Sequence, residues 1–392
     1  MDEGPLFRPK IGLDHGTVTH KITTGKKMEC TFNALTRQIQ EEIRLRGPIS
    51  FARFMELALY APGLGYYERR REIGRGGDFF TSVSVGPLFG QLLAFQFAQW
   101  MDADCPNGGI QFLEAGPHNG MLASDILAWT SRHRPDLLAR LEYCLLEASP
   151  ARRAWQEETL RSWLPNVRWA SSMEACGWRQ MNGIIFSNEF LDAWPVHRLA
   201  WCAARRQWQE ACVTVEDAVF AWAWRPPAAE WTGHLPQVPA ELAEVLPDGF
   251  KVEVCPAAAA WWRAAASSLR RGKLLTMDYG LTDGEWFQPG RAQGTLRAFT
   301  RHHASADLLS QPGEQDLTAH VNFSALMEAG QAAGLRTEGL APQSKFLTEI
   351  LARTRLAPES FEPWNEKRTR QFQTLAHPEH LGHKFQVLVQ AR

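Results

Sequence analysis

Hydrophobic residues are spaced differently in the first quarter of the chain and in the rest of it. Between residues 35 and 59 they recur every three or four positions, which predicts two helices separated at the stretch RGPIS. Ser50 stands where it can cap the second helix. The same spacing returns over 86–101 and predicts a third helix. These segments predict a helical region ahead of the main fold.

Short apolar runs between polar or helical segments dominate the part that follows, as expected for strands buried on both faces of a parallel sheet. Each run ends on acidic or amide residues. Because ligands bind at the carboxyl ends of such strands, these side chains are expected to meet around one crevice. The runs are 110–114, 143–147, 183–189 and 273–278, and their polar ends are Glu114, Glu147, Asn188 with Glu189, and Asp278.

The alternation of runs and helices predicts an α/β fold with a Rossmann-like, doubly wound sheet. Residues 1–30 are expected to be a weakly structured extension, 31–105 to hold the helices and a glycine-rich loop, and 106–392 to form the core. The core carries an insertion at about 196–255, predicted to be antiparallel because its first part alternates with period two. Its tryptophans are predicted to be packing residues; they are Trp201, Trp208, Trp222 and Trp224.

Composition excludes several classes of partner. Of 392 residues, 45% are hydrophobic and 22% charged, and the net charge is −1, so the chain lacks the basic excess of nucleic-acid binders. No apolar run approaches the roughly 20 residues of a membrane span. The seven cysteines form no C-x-x-C pair, which favours a reducing compartment, with the cytoplasm as the default location. His302, His303 and His320 lack metal-ligand spacing, so no metal is expected.

The stretch FLEAGPHNGML places a glycine loop between a strand and a helix, the usual context of a nucleotide-binding turn. His118 occupies the position of the second glycine of a dinucleotide fingerprint and would crowd a pyrophosphate. Between Gly116 and Gly120 the spacing therefore favours an adenosine joined to an amino-acid chain, and a branched side chain at Gly120 is expected to enter cofactor space. The alternative is a plain strand-to-helix turn.

Two acidic sites accompany this loop. Glu147 ends the second run, where an acid commonly accepts the ribose hydroxyls, although a solvated strand end would look the same. In SNEFLDAWPV, Asn188, Glu189 and Asp192 are expected at the rim of the same crevice, where two carboxylates could grip a guanidinium. The alternative for this stretch is a helix N-terminus capped by Asn188.

Several motifs, in this order, resemble those of the MidA family of class I S-adenosylmethionine-dependent methyltransferases. That family includes a mitochondrial complex I assembly factor that acts as a protein arginine methyltransferase. The similarity runs from about residue 35 to the C-terminus. The motifs are GDFFTS (77–82), LEAGPHNG (113–120), NEFLDAWPV (188–196), MDYG (277–280), GTLRAFTRH (294–302) and QDLTAHVNF (315–323).

The resemblance implies an S-adenosylmethionine site and a set of residues that form it. Asn188 and Glu189 would face the methyl group and, with Asp192, would be catalytic. The chain departs from the family at His118, where glycine is usual, and at Val83 and Ser84, where a Pro-Glu pair is usual. The implied cofactor-binding residues are Gly77, Asp78, Thr81, Ser82, Glu114, Gly116, Pro117, Gly120, Glu147, Ala148 and Asn188.

The expected reaction is attack by a substrate nitrogen on the sulfonium methyl, with Glu189 holding the nucleophile and Asp192 assisting. A protein arginine is the favoured acceptor. Methylation of a small molecule at nitrogen or oxygen, and a non-catalytic assembly factor that only binds the cofactor, are the alternatives. The sequence leaves a homodimer open, and a eukaryotic source would change the expected location to the mitochondrial matrix.

Overall fold

A computed structural model describes residues 33–69, 81–300 and 303–392. The predicted N-terminal extension and residues 70–80 of the glycine-rich loop, which include Gly77 and Asp78, lie outside the described residues. The strands are β1 (Ile49–Ser50), β2 (Ile110–Ala115), β3 (Leu141–Leu146), β4 (Val167–Ala170), β5 (Met181–Asn188), β6 (His197–Cys202), β7 (Gln207–Glu216), β8 (Val219–Arg225), β9 (Lys251–Val254), β10 (Leu269–Leu281), β11 (Arg297–Thr300), β12 (His303–Ser305), β13 (Asp316–Thr318), β14 (Val321–Asn322), β15 (Arg336–Pro342) and β16 (Phe385–Ala391).

The α-helices precede, connect and flank these strands. Among those of the described residues, none is long and apolar enough to cross a membrane. They are α1 (Ala34–Arg46), α2 (Phe51–Tyr60), α3 (Leu88–Asp104), α4 (Met121–His133), α5 (Pro135–Leu138), α6 (Pro150–Thr159), α7 (Met173–Cys176), α8 (Ala240–Val245), α9 (Pro256–Ser268), α10 (Asp283–Trp286), α11 (Phe323–Ala332), α12 (Gln343–Leu356) and α13 (Glu366–Ala376).

The main sheet has the strand order β4-β3-β2-β5-β10-β16-β15, with the short β14 paired to the end of β10. Within that order β4, β3, β2, β5 and β10 run parallel, and β16 is antiparallel to both of its neighbours. The predicted runs are β2, β3, β5 and β10, so the doubly wound sheet is confirmed. The chain builds outward from β2 first to one side and then to the other, which puts the switch point between β2 and β5.

Successive residues of the central strands are buried on opposite faces of this sheet. Phe112 packs in the core under α3 and α4, and Leu113 packs in the core under α9 and α11. Ile184 and Ile185 divide in the same way between the two faces. This two-sided burial explains why the strands read as continuous apolar runs and not as an alternation.

The N-terminal helices pack against the insertion. Ser50 caps α2 by accepting a hydrogen bond from the N–H of Arg53, as predicted. The insertion is antiparallel: β6, β7, β8 and β9 form a sheet that β1 joins. Trp201 and Trp208 are buried, and Trp222 packs on Phe51 with ring centroids 5.3 Å apart. Trp224 is 42% exposed, so its predicted packing role is wrong. The reason is its place near the end of β8, where Trp224 and Arg225 are both exposed.

Candidate functional site

A large cavity opens at the carboxyl ends of β2, β3 and β5, beside the switch point. Its volume is about 2060 Å³, whereas small-molecule sites usually occupy ~300–1,000 Å³. Gly116, Glu147 and Glu189 line it from the main sheet, while Tyr67 and Asp316 line it from the helical region and the small β12-β11-β13 sheet. The cavity therefore has room for a nucleotide-sized molecule and for part of a second one.

The glycine loop makes a turn that needs left-handed backbone. Gly116 has a φ of +69° and Gly120 a φ of +82°. A Cβ at Gly116 would lie 2.4 Å from the ring of Phe190, so only glycine leaves room for this ring. His118 also adopts a left-handed φ, of +47°, which costs an ordinary residue roughly 1–2 kcal/mol and explains why a glycine suits that position.

Gly120 supports the turn of the loop and does not line the cavity, contrary to expectation. Its N–H donates to the oxygen of Pro117 at 2.7 Å, and it caps α4. A Cβ at Gly120 would meet Leu160 at 3.1 Å, and Gly120 is not among the residues that line the cavity. The expectation that a side chain there enters cofactor space is therefore wrong, because it would press on the packing behind the loop. Pro117 and His118 do line the cavity.

Glu147 lies directly after β3 and is 6% exposed. Its Oε1 accepts a hydrogen bond from the N–H of Ser149 at 2.8 Å and pairs with Arg152 at 3.0 Å. The buried amide of Gln156 donates to its Oε2 at 3.0 Å. Glu147 is thus an anchored carboxylate that lines the cavity, and the alternative of a solvated strand end is wrong.

Gln156 connects the acid to the glycine loop, a role that the sequence did not suggest. Its Nε2 also donates to the oxygen of His118 at 2.8 Å, and its Oε1 accepts from the indole of Trp169 at 2.8 Å. Position 156 is fully buried. A glutamine within the charged stretch ARRAWQEE gives no sign of such a position, since only the fold shows that this side of α6 faces inward.

Glu114 ends the first buried run and is 2% exposed. Its Oε2 accepts a 2.6 Å hydrogen bond from the hydroxyl of Tyr143. Burial raises the pKa of Glu114 to about 7, against the opposing effect of this hydrogen bond. Glu114 and Ala148 both line the cavity, beside the loop and Glu147 respectively.

Glu189 sits at a strained corner after β5, with a φ of +49°. Its N–H donates to the oxygen of Met277, and its Oε1 accepts from the N–H of Ser82 at 3.2 Å and from the amide of Asn188 at 3.1 Å. Burial is the main reason that its pKa is raised to about 8. No helix begins here, so the alternative of a capped helix N-terminus is wrong. Strain of this kind is concentrated at functional sites.

Asp278 holds the loop that carries the acids. Its Oδ2 accepts hydrogen bonds from the N–H groups of Phe190 at 3.1 Å and Leu191 at 2.8 Å, and Asp278 is fully buried. It does not line the cavity, so the expectation that it meets the other strand ends in the crevice is wrong. Asp192 does line the cavity, and burial raises its pKa well above the ordinary value. The neighbouring carboxylates of Asp278, Asp316 and Glu189 add to that rise.

The segment around Ser82 is fixed from the C-terminal helices. Ser82 is fully buried, and its hydroxyl donates to Oε1 of Gln343 at 3.1 Å. Thr81 lines the cavity, as do Val83 and Ser84, which depart from the family pattern. Of the four predicted residues of this segment, Thr81 and Ser82 are thus near Glu189, and Gly77 and Asp78 lie outside the described residues.

Tyr60, Tyr67 and Asp316 complete one wall and were not predicted. The Tyr67 hydroxyl donates to Oδ1 of Asp316 at 2.7 Å, across 249 positions of sequence. The two tyrosine rings stack with centroids 5.6 Å apart. Asp316 belongs to the motif QDLTAHVNF, and that motif is the signal that could have pointed to it.

Metal-ligand geometry is not found in the described part of the chain: no three His, Cys, Asp or Glu side chains form a group that could hold an ion. His302 lies outside the described residues. His320 lines the cavity, and burial lowers its pKa to about 4, so its ring is neutral near pH 7.

Comparison with known proteins identifies the family of this fold and site. A family model described as an S-adenosyl-L-methionine-dependent methyltransferase matches residues 92–341, more than half of the chain. The chain belongs to the MidA family of these methyltransferases. Human mitochondrial protein arginine methyltransferase NDUFAF7 is 30% identical, over 90% of this chain and 82% of its own. The Danio rerio protein of the same name is 29% identical, over 92% and 88%.

A solved structure extends the MidA comparison to the fold. A Burkholderia thailandensis protein crystallised with S-adenosyl-homocysteine has 35% identity and a TM-score of 0.79, over 92% of each chain. The MidA-family chain is therefore an enzyme whose cofactor is S-adenosylmethionine. The site fits this cofactor, because the glycine turn at Gly116 and the anchored acid Glu147 follow neighbouring strands and line one cavity that has room for a nucleotide-sized molecule.

Proposed function

We propose that this methyltransferase modifies an arginine side chain of a protein. The observation that carries the proposal is the placing of Glu189 and Asp192 on one loop that lines the cavity, within electrostatic reach of each other. Among the described residues, neither carboxylate forms an ion pair with a lysine or arginine. A guanidinium satisfies two such acids because it is always charged and donates in pairs. The relatives named as protein arginine methyltransferases support the same acceptor.

The cofactor-binding residues are proposed to divide between the adenosine and the methionine ends. Glu147, anchored by Gln156, accepts the ribose hydroxyls, with Ala148 beside it. Gly116 and Pro117 pass close to the methionine chain, and Glu114 lies behind them. The N–H of Gly120 donates within its own loop, so Gly120 supports the turn. Thr81 covers the site, and Gly77 and Asp78, outside the described residues, remain predicted cofactor-binding residues.

Catalysis is proposed to rest on Glu189. When bound, the cofactor supplies an electrophilic methyl group on a sulfonium. The substrate nitrogen forms a bond to this methyl, the carbon–sulfur bond breaks with its electron pair left on sulfur, and the nitrogen loses a proton. Glu189 orients the nitrogen and accepts that proton, and its raised pKa makes it a suitable acceptor near neutral pH. Asn188 fixes the Glu189 carboxyl group, and Asp192 lies on the same loop as a second acid that a bound cation would favour in its ionised form.

Incubation of a cell lysate with the chain and a radiolabelled methyl donor tests this function. We expect the label in protein, released as methylarginine on acid hydrolysis, and Glu189→Gln is the matched control because it keeps the shape of the side chain. Label in solvent-extractable material would instead favour a small molecule as the methyl acceptor. This is the second candidate, because Val83 and Ser84, where the chain departs from the family pattern, line the cavity. Absence of label from both fractions would support the non-catalytic alternative.

Location is proposed from the relatives, and assembly from the sequence. The relatives are named as mitochondrial, which gives the expected cytoplasmic location no support and agrees with the alternative of the mitochondrial matrix in a eukaryotic cell. The homodimer remains a prediction, and sedimentation of the purified chain would test it.

A further inference from the structure

Two buried thiols face each other beside the cofactor end of the main sheet. Cys144 lies in β3 and Cys176 is the last residue of α7. Their sulfur atoms are 3.7 Å apart, and both residues are buried. A disulfide bond is about 2.05 Å long, so an approach of ~1.7 Å would join the two sulfurs. The pair is therefore close to the geometry of a disulfide while both cysteines are reduced.

A guanidinium group touches one sulfur of this pair. Arg168 lies opposite Cys144 in the parallel ladder of β3 and β4, and its Nη2 donates to the Sγ of Cys176 at 3.2 Å and to the oxygen of Cys176 at 2.9 Å. The contact with Cys144, and with it this guanidinium, lowers the pKa of Cys176. The contact with Cys176, and burial, raise the pKa of Cys144. Cys176 is thus the thiolate and the nucleophile of the pair.

The two cysteines differ in how firmly their backbones are held. β3 is paired on one side with β2 and on the other with β4. α7 is a single turn of four residues, and both neighbours of Cys176, Ala175 and Gly177, are exposed. Short elements with little cover open more readily than central strands. A small oxidant can therefore reach Cys176 when this turn opens, and a bond between the sulfurs would move α7 and leave β3 in place.

α7 is also part of the cavity wall. Ser172, which caps α7 by accepting from the N–H of Ala175 at 3.1 Å, lines the cavity, as does Met173. Glu147 follows Cys144 by three positions and lines the cavity as well, and its N–H donates to the oxygen of Ala170 at the end of β4. Because α7 is one turn, a displacement of Cys176 carries Met173 with it, next to the proposed ribose acid.

We propose that Cys144 and Cys176 form a redox site, which a hydroperoxide converts from two thiols to a disulfide, and that this bond weakens cofactor binding by displacing α7 from the cavity wall. The inference goes beyond the proposed function, because it concerns the S-adenosylmethionine site and holds for any methyl acceptor.

The oxidation takes two steps. The thiolate sulfur of Cys176 attacks one oxygen of the peroxide, the oxygen–oxygen bond breaks, and the leaving hydroxide takes up a proton to form water, so that Cys176 becomes a sulfenic acid. The sulfur of Cys144 then attacks the sulfur of Cys176, the sulfur–oxygen bond breaks, and the departing hydroxide takes the Cys144 proton and leaves as water. In sum the two thiols lose two electrons and two protons, and hydrogen peroxide is reduced to two waters.

Mass spectrometry of the full-length chain tests the bond. The reduced chain is treated with hydrogen peroxide, its remaining thiols are alkylated under denaturing conditions, and the digest is compared with and without dithiothreitol. We expect a linked pair of peptides that contain Cys144 and Cys176, separated again by dithiothreitol. Alkylation of both residues after peroxide treatment, or a sulfinic acid at Cys176 without a link, would overturn the proposal.

Cys144→Ala separates the two steps, because it keeps the nucleophile and removes its partner. We expect it to stop at the sulfenic acid of Cys176, which dimedone traps, whereas the parent gives the disulfide. Cys212→Ala is the matched control, since Cys212 is another buried cysteine, on β7, and this variant should form the disulfide as the parent does. Formation of the disulfide in neither the parent nor Cys212→Ala would overturn the proposal, whether or not Cys144→Ala folds.

Calorimetry with S-adenosyl-homocysteine tests the effect on the cofactor site. The disulfide is formed here with oxidised glutathione, which releases two molecules of reduced glutathione and spares the thioether of Met173. We expect affinity to fall about tenfold, within the usual range of coupling between two sites, and to return with dithiothreitol. By linkage, saturating S-adenosyl-homocysteine should shift the equilibrium of the pair with glutathione toward the thiols by the same factor. Equal affinity of the two forms, within about twofold, would overturn the coupling of α7 to the site.

Discussion

The carboxylate of Asp278 accepts a 2.8 Å hydrogen bond from the backbone N–H of Leu191, 87 positions earlier in the chain. Through this bond the end of β10 holds the loop that presents Glu189 and Asp192 to the cavity. The family motif MDYG therefore contributes a structural acid, and the loop that it holds carries the acids proposed to be catalytic.

Asp278→Asn should loosen that loop. The carboxylate accepts from Phe190 and Leu191 through one oxygen and from Tyr279 through the other. Asparagine has one acceptor oxygen where aspartate has two. At least one buried N–H is therefore left unpaired, at a cost of about 1–3 kcal/mol. Urea unfolding should show this loss. A variant as stable as the parent would mean that the loop is held by other contacts.

Glu189→Gln should separate chemistry from binding. Glutamine can still accept from Ser82 but cannot take up a proton, so single-turnover methyl transfer should fall about a hundredfold or more, as for loss of one preorganised charge. Affinity for the neutral S-adenosyl-homocysteine should stay close to that of the parent. Turnover within about threefold of the parent, under ~1 kcal/mol, would remove Glu189 from the mechanism.

The raised pKa of Glu189 predicts a pH-dependent stability difference for the same variant. The ordinary value is 4.5 and the folded value about 8, so between these pH values the folded chain binds more protons than the unfolded one. Stability from this group is therefore lost as pH rises through that window. The Glu189→Gln variant cannot ionise at this position. Its free energy of unfolding relative to that of the parent should therefore rise by about 1 kcal/mol or more between pH 5 and pH 8.5, since one pKa unit is worth ~1.4 kcal/mol. Parallel stability curves would show that the carboxylate ionises freely.

Glu147→Ala should affect both binding and folding. Loss of the ribose acceptor should weaken S-adenosyl-homocysteine binding by about 1.5–3 kcal/mol, the range for hydrogen bonds to a charged group. The sequence alone predicts that folding is unaffected, but the structure leaves the buried amide of Gln156 and the guanidinium of Arg152 without this partner. Calorimetry and urea unfolding measure the two effects, with Glu142→Ala, the loss of an exposed acid on β3, as control. Unaltered binding would place the ribose elsewhere.

Gly120→Val should destabilise the glycine loop through packing as well as backbone strain. The matched control is Gly108→Val, because Gly108 also has a positive φ, of +98°, but has open space around it. Both variants carry the cost of left-handed backbone, whereas only the one at Gly120 also presses on Leu160. Thermal unfolding should therefore show a larger loss for Gly120→Val, by about 1 kcal/mol or more. Equal losses of stability in the two variants would mean that backbone strain alone accounts for the effect of Gly120→Val.

The sequence predicted the parts of the fold whose residues carry local information. Leu113 and Ile185 lie in uninterrupted apolar runs, and such runs identify buried parallel strands. β16 was not predicted although it lies inside the sheet, because Gln386 and Gln390 interrupt its pattern. Gln390 is fully buried, and its Oε1 accepts from the indole of Trp262 at 2.7 Å, a compensation that only the folded chain reveals.

The candidate site shows the same limit. Glu147 and Glu189 were predicted because each follows a strand, and a strand end is a local feature. Gln156 was not, since its importance depends on three partners that the fold brings together. Tyr67 and Asp316 are separated by 249 positions, and no local pattern in either segment indicates that the two side chains form a hydrogen bond.

The position of β16 has a consequence for how the enzyme is made. This strand fills the space between β10 and β15, and it follows both of them along the chain. A nascent chain that has already released the whole glycine loop and both acids still has a gap in its sheet. The sheet can therefore close only after residue 391 has been made, and until then β10 and β15 present unpaired edges, which favour pairing with another chain.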